Sequence, residues 1–207
     1  MTPLRPQVVA AAPIPPAGRA ALGPIGLRGT RRQFVKSVVL SLSIFGWWLV
    51  AAPAQATAER PAIVPHLLER GVLTEVNALR RQHGLAPLRR SSSLAAAARQ
   101  HSTEMANRGY FGHRSADGSS FDRRIARFYP RAGYRYWAVG ENLLYSTSSL
   151  DAARALDMWL NSPDHRRIIL KARWREFGLG AVEVVSAPGV YGGRSVTIVT
   201  TDFGVRR

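Results

Sequence analysis

Helical periodicity and extended stretches occur in blocks along this 207-residue chain, without the regular alternation of strand and helix that a parallel sheet needs. Leu67, Leu68, Val72, Leu73, Val76 and Leu79 recur at helical spacing, and Gly84 followed by Pro87 marks the end of that helix. A second helix is predicted after Ser91–Ser93, any of which can cap it. Leu94, Ala98, His101 and Met105 form its inward stripe, and Gly109 stops it. Phe121, Ile125 and Phe128 give a short third helix ending at Pro130. Ala138 to Tyr145 is extended. Ser149 is placed to cap a fourth helix running through Leu156, Met158 and Trp159, and Asn161-Ser162-Pro163 breaks it. Pro163 suits the first turn of a new short helix with Ser162 as its cap, which puts His165 in that turn. Phe177 to Val185 and Ser195 to Phe203 read as two strands joined by the turn P-G-V-Y-G-G. The fold class that follows is α+β, in a single domain.

The chain contains no cysteine, which excludes a disulfide framework, a thiolate metal site and a cysteine nucleophile. Stability must come from packing, for which 46% hydrophobic content is sufficient. Net charge is +16, from 29 Lys and Arg against 13 Asp and Glu. Six cations and no acid precede residue 57, which leaves +10 for the rest. A surface of this sign favours polyanions: anionic lipid, acidic envelope polymers or nucleic acid. Nucleic acid is the least favoured of these, because the pairs Arg89-Arg90, Arg123-Arg124 and Arg166-Arg167 are scattered and the leader directs the chain out of the cytoplasm.

That leader reads T-R-R-Q-F-V-K from Thr30 to Lys36, followed by an uncharged run from Ser37 to Val50 and by A-P-A-Q-A ending at Ala56. Arg31, Arg32, Phe34 and Lys36, the apolar run and the small-x-small pair Ala54 and Ala56 together resemble a bacterial twin-arginine (Tat) signal sequence. The organisation this implies is a disordered n-region with the motif (1–36), a hydrophobic segment and cleavage site (37–56), and a folded domain (57–207). The partners implied are the Tat translocon and signal peptidase. The destination is the periplasm or the exterior, with a membrane anchor if the segment is retained, since Ser37 to Ala56 is about long enough to span a bilayer.

Three polar residues stand out in the remainder: His113 in F-G-H-R, Glu141 in G-E-N-L and His165 in W-L-N-S-P-D-H-R. Two imidazoles and a carboxylate can share one divalent metal, or set a base beside a bound water. Glu141 lies among Val139, Leu143 and Leu144, where a carboxylate needs a partner; a salt bridge to one of the arginines is the plain alternative. His101 reads as a core histidine whose polar nitrogen is satisfied by a neighbour. Asn142 is placed either to hold a loop beside the site or to bond at a strand edge. Asp202 lies near the end of the last strand, where it can reach the same region or pair with an arginine.

The words around these residues resemble the CAP superfamily, or SCP domain, in its bacterial branch. They are V-N-A-L-R with G-L-A-P-L, A-A-R-Q-H-S-T-E-M-A, F-G-H-R-S-A-D-G-S-S-F-D-R-R-I, G-E-N-L, W-L-N-S-P-D-H-R-R-I-I-L, and the pair F-G-L-G and T-D-F-G. The resemblance covers residue 66 to the end and implies an α-β-α sandwich with a cleft lined by two histidines and two acids, associated with divalent metal, often zinc. By motif the ligands are His113, His165 and Glu141. The second acid is missing, since Ser162 stands three residues after Trp159 where many eukaryotic members carry glutamate. Three ligands leave open coordination positions. The expectation is therefore an exported module whose cleft binds zinc or another divalent metal, a small ligand such as a lipid, peptide or envelope glycan, or both. The alternative is a metal-dependent hydrolase with Glu141 as general base. No nucleophile is apparent, Ser162 being placed as a cap, and this ranks binding above catalysis.

Overall fold

A computed structural model describes Val8–Ala10, Ala62–Ile63 and residues 66–207. In chain order the elements are β1 (Val8–Ala10), β2 (Ala62–Ile63), α1 (His66–Gln82), β3 (Arg89–Arg90), α2 (Ser92–Arg108), α3 (Phe121–Phe128), β4 (Trp137–Ser146), α4 (Ala152–Leu160), α5 (Pro163–Ile169), β5 (Glu176–Ala187), a 3-10 turn at Gly189–Tyr191 and β6 (Arg194–Arg206). The strands form one sheet in the order β1-β4-β6-β5-β2, with β3 beside the start of β5. The long strands β4, β6 and β5 are antiparallel.

Side chains along each long strand alternate between two helical layers. Phe177, Leu179 and Ala181 of β5 join Leu144 of β4 and Val199 and Phe203 of β6 in a core closed by Val72 and Val76 of α1, Trp159 of α4 and Ile169 of α5. The opposite face carries Leu143 and Tyr145 of β4, Val182 of β5 and Ile198 of β6 against Met105 of α2, with Leu94 and Ala97 of α2 continuing onto Ile125 of α3. This is the expected α+β sandwich in a single domain.

The first helix starts at His66 as its periodicity predicts, but Leu67 is 73% exposed, because the stripe that reaches the core begins at Leu68. Helix α2 has the predicted ends. The Ser91 side chain accepts from Leu94 N–H, and Gly109 takes the left-handed conformation (φ 68°) that lets its N–H close on Met105 C=O. Two helix starts differ from expectation. The fourth helix is capped by Asp151, whose carboxylate accepts from Arg154 N–H at 2.8 Å, rather than by Ser149 two residues earlier. Ser162 sits at the cap position of α5 but makes no side-chain capping bond; Pro163 opens the helix with the φ that proline already has.

Glycine lets α2 lie on the sheet. A Cβ at Gly178 would stand 2.1 Å from Ala95 N, and one at Gly180 would stand 2.1 Å from Arg99 N, so helix backbone occupies the space where side chains would be. Ser102 fastens the contact by donating to Gly180 C=O at 2.8 Å.

Within the stretch expected to be disordered, Val8–Ala10 pairs with Leu144–Asn142 along the outer edge of β4. Three apolar residues, two of them β-branched, suit an edge that offers unpaired backbone groups. The twin-arginine motif, the apolar run and the cleavage site lie outside the described residues. Among the described residues no helix is long and apolar enough to cross a membrane.

Candidate functional site

His113 leaves the polar loop after α2 and meets Glu141 of β4, with Nδ1 2.7 Å from Oε1. The other Glu141 oxygen takes a short hydrogen bond from the Arg124 guanidinium of α3. Arg124 also donates to His113 C=O at 3.1 Å and Ser115 Oγ at 3.0 Å, so one buried cation ties loop, helix and strand together. Arg124 and Glu141 are wholly buried, whereas the His113 side chain is 14% exposed. The centre therefore reaches solvent through the imidazole.

The β4–β6 register sets Asp202 directly across from Glu141, on the same face of the sheet. Two buried carboxyls side by side cannot both ionise cheaply. Burial, then the neighbouring Glu141 charge, push Asp202 well above the ordinary carboxylate range. Burial works against the Glu141 carboxylate too, but Arg124 and the hydrogen bond from His113 outweigh it and hold Glu141 below its ordinary value. Of the pair, Glu141 is therefore the carboxyl that gives up its proton more readily. His101, below them on α2, is fully buried, with Nε2 2.9 Å from Gly112 C=O. Burial lowers its pKa, which keeps it neutral as a core residue.

His165 arrives differently. It is buried in the first turn of α5, and its backbone C=O accepts from Asn142 Nδ2 at 3.2 Å. Successive β4 side chains point to opposite faces, so Asn142 reaches α5 while Glu141 reaches α3. The structure brings His113 and Glu141 into contact and ties His165 to β4 through its backbone and Asn142. Among the described residues no group of three or more His, Asp or Glu side chains could hold a metal ion. The chemistry agrees: a guanidinium occupies the Glu141 oxygen that a cation would need, so the residues present do not fit a metal at Glu141.

Sequence reasoning missed Arg124 and left Asp202 unplaced. Arg124 had a readable signal, because it falls on the inward stripe with Phe121, Ile125 and Phe128. Asp202 had none until the strand register was known. A separate cavity of about 250 Å³ opens between the ends of β4, β5 and β6, lined by Ser146, Ser148, Glu183, Val185, Ser195 and Thr197; it contains none of the predicted site residues.

The family model for CAP, described as the cysteine-rich secretory protein family, matches residues 73–197. Among curated relatives, the uncharacterized protein YkwD of Bacillus subtilis is 33% identical over 141 residues, covering 64% of this chain and 52% of that protein. The uncharacterized membrane protein YlbC of the same organism is 31% identical over 112 residues, covering 54% of this chain and 31% of that protein. The chain thus spans about half the length of the first relative and under a third of the second. Among solved structures, an extracellular protein containing an SCP domain from Bacillus anthracis matches with TM-score 0.50 and 27% identity, over 67% of this chain and 40% of that one. An outer surface protein from Borrelia burgdorferi matches with TM-score 0.51 over 71% of this chain and 99% of its own, and at 16% identity it speaks for the fold alone.

Proposed function

The chain belongs to the CAP, or cysteine-rich secretory protein, family, and from that premise we propose that its domain is an exported binding module in which His113 presents a rigid charged centre to a small ligand. The observation that carries this reading is the closed network behind His113. Both Glu141 oxygens are engaged, by the imidazole and by Arg124, and the cation is further held by Ser115. Such a network orients one imidazole and fixes its surroundings before a ligand arrives, which lowers the ordering cost of binding. It does not resemble hydrolytic machinery, because the carboxylate that would act as base is bound to a guanidinium.

The ligand class is a lipid, peptide or envelope glycan with a polar group that an imidazole can bond. Export is supported by the twin-arginine leader and by the extracellular SCP-domain relative. Changing Arg31 and Arg32 together to lysine is expected to leave the protein in the cytoplasmic fraction; unchanged export would remove that part of the reading.

The test of binding is thermal unfolding of the full chain with short peptides, lipids and glycan fragments, beside His113→Ala. One class is expected to raise the unfolding temperature of the native chain and not of the variant. Equal shifts in both, or none in either, would overturn the proposal. Calorimetric zinc binding that disappears in a His113→Ala, His165→Ala double variant would replace it with a metal centre.

A further inference from the structure

We infer that the end of the sheet where β4 and β5 begin and β6 finishes is a docking surface for a linear polyanion whose units carry phosphate or carboxylate groups. The cations that build it are dispersed in sequence: Arg131 and Arg135 before β4, Arg173 and Arg175 before β5, and Arg206 and Arg207 at the end of β6. The strand register collects them. Trp137 pairs with Arg206, Arg175 N–H donates to Gly204 C=O at 3.0 Å, and Tyr136 and Arg207 exchange backbone bonds of 2.9 and 3.0 Å. Five of the six arginines are exposed, and Arg206 is partly so. The segments 131–136, 171–176 and 206–207 contain one acidic side chain, Glu176, already engaged by the Tyr129 hydroxyl and lying 3.9 Å from Arg206.

The aromatic side chains of this end select among polyanions. Arg131 stands 5.2 Å over Trp137, Arg173 4.8 Å over Trp174, Arg206 4.1 Å over Tyr129 and 5.0 Å over Tyr134, and Arg207 5.1 Å over Tyr136. A guanidinium resting on a ring loses conformational freedom in advance and keeps its outward N–H groups for forked bonds to an anion. The same contacts cover ring faces that a nucleic acid base would need for stacking. Insertion into a bilayer would need exposed apolar side chains here. Among the described residues, Leu67, Val185 and Val190 lie elsewhere, on α1, late in β5 and in the turn beyond it, and Tyr134 alone of the exposed large apolar residues belongs to this end. What remains is paired recognition of closely spaced anions along a polymer.

This surface shares no residue with the His113 centre, so the two readings succeed or fail independently. The experiment is fluorescence anisotropy of the full chain with end-labelled inorganic polyphosphate, and in a second arm with labelled poly-L-glutamate, from 50 to 200 mM salt. Arg131→Gln, Arg173→Gln and Arg207→Gln are combined in one variant. A second variant with the same charge change elsewhere combines Arg70→Gln, Arg108→Gln and Arg154→Gln. The first variant is expected to weaken binding by about tenfold or more and to flatten the salt dependence, the second by about twofold or less. The preferred arm says whether phosphate or carboxylate is the group recognised. The exposed Arg135→Glu alone must also weaken binding, which guards against a folding defect in the triple variant. Equal loss in both triple variants, no binding to either polymer, or tighter binding to phosphatidylglycerol vesicles or to oligo-dT would overturn the proposal.

Discussion

Arg80 and Arg124 are both wholly buried, and the fold receives their charges in opposite ways. Arg80, near the end of α1, donates to three neutral carbonyls, those of Ala86, Ile169 and Lys171, at 3.0, 2.7 and 3.2 Å. Arg124 donates to the Glu141 carboxylate, beside a second carboxyl on Asp202. The first is a staple that fastens the loops after α1 and α5 with dipoles. Burial, and then the charge of Arg175, lower its affinity for the proton. The second sets the ionisation of everything around it. A buried cation is therefore no functional signal by itself; what it faces decides.

Replacing each arginine by methionine, similar in length and uncharged, breaks the comparison most directly. Arg124→Met strands Glu141 next to Asp202 and is expected to cost about 3–5 kcal/mol near pH 7, read from urea unfolding. The sign with pH follows from Glu141, whose folded pKa is depressed: its contribution is present above the unfolded value of 4.5 and lost as pH falls through the folded value. The cost of Arg124→Met should accordingly shrink in acid. Arg80→Met leaves carbonyls without donors and is expected to cost about 1–3 kcal/mol, with the same loss at pH 4 and pH 8. Two variants with the same pH dependence would show that both arginines are merely structural.

Asp202→Asn acts with the opposite sign, as a gain, and sharpens the picture of the charged centre. Because the folded pKa of Asp202 is raised, the native chain carries a penalty that grows as pH rises above the unfolded value of 3.8. Asparagine removes the titration and keeps the shape. The variant should match the native chain below that pH and become relatively more stable toward pH 8, as thermal unfolding at the two pH values will tell. A variant less stable at pH 8 would mean that the Asp202 charge is used.

What could be read in advance follows the range of the interaction. The end of helix α2 is legible at Gly109 and its start to within the serines 91–93, of which Ser91 is the cap, because such residues act on backbone groups within a turn of themselves. The cap of α4 was misplaced among Ser149 and Asp151, both capable, where only the path of the chain decides. Arg124 was overlooked because Arg123-Arg124 looked like one surface pair, although helical spacing sends the two to different sides. The meeting of Glu141 with Asp202, and the division by which Glu141 reaches Arg124 while Asn142 reaches the His165 backbone, depend on sheet register and on strand alternation, which no local pattern contains.

The bare glycines under α2 have a mechanical consequence. With Gly178 and Gly180 letting helix backbone rest directly on β5, and Ser102 bonded into the strand, the helix has no clearance in which to roll or slide. His101 and the point from which the 111–119 loop departs therefore move only as the sheet moves. A displacement of His113 would then have to come from that loop and from side-chain rotation, not from the helix.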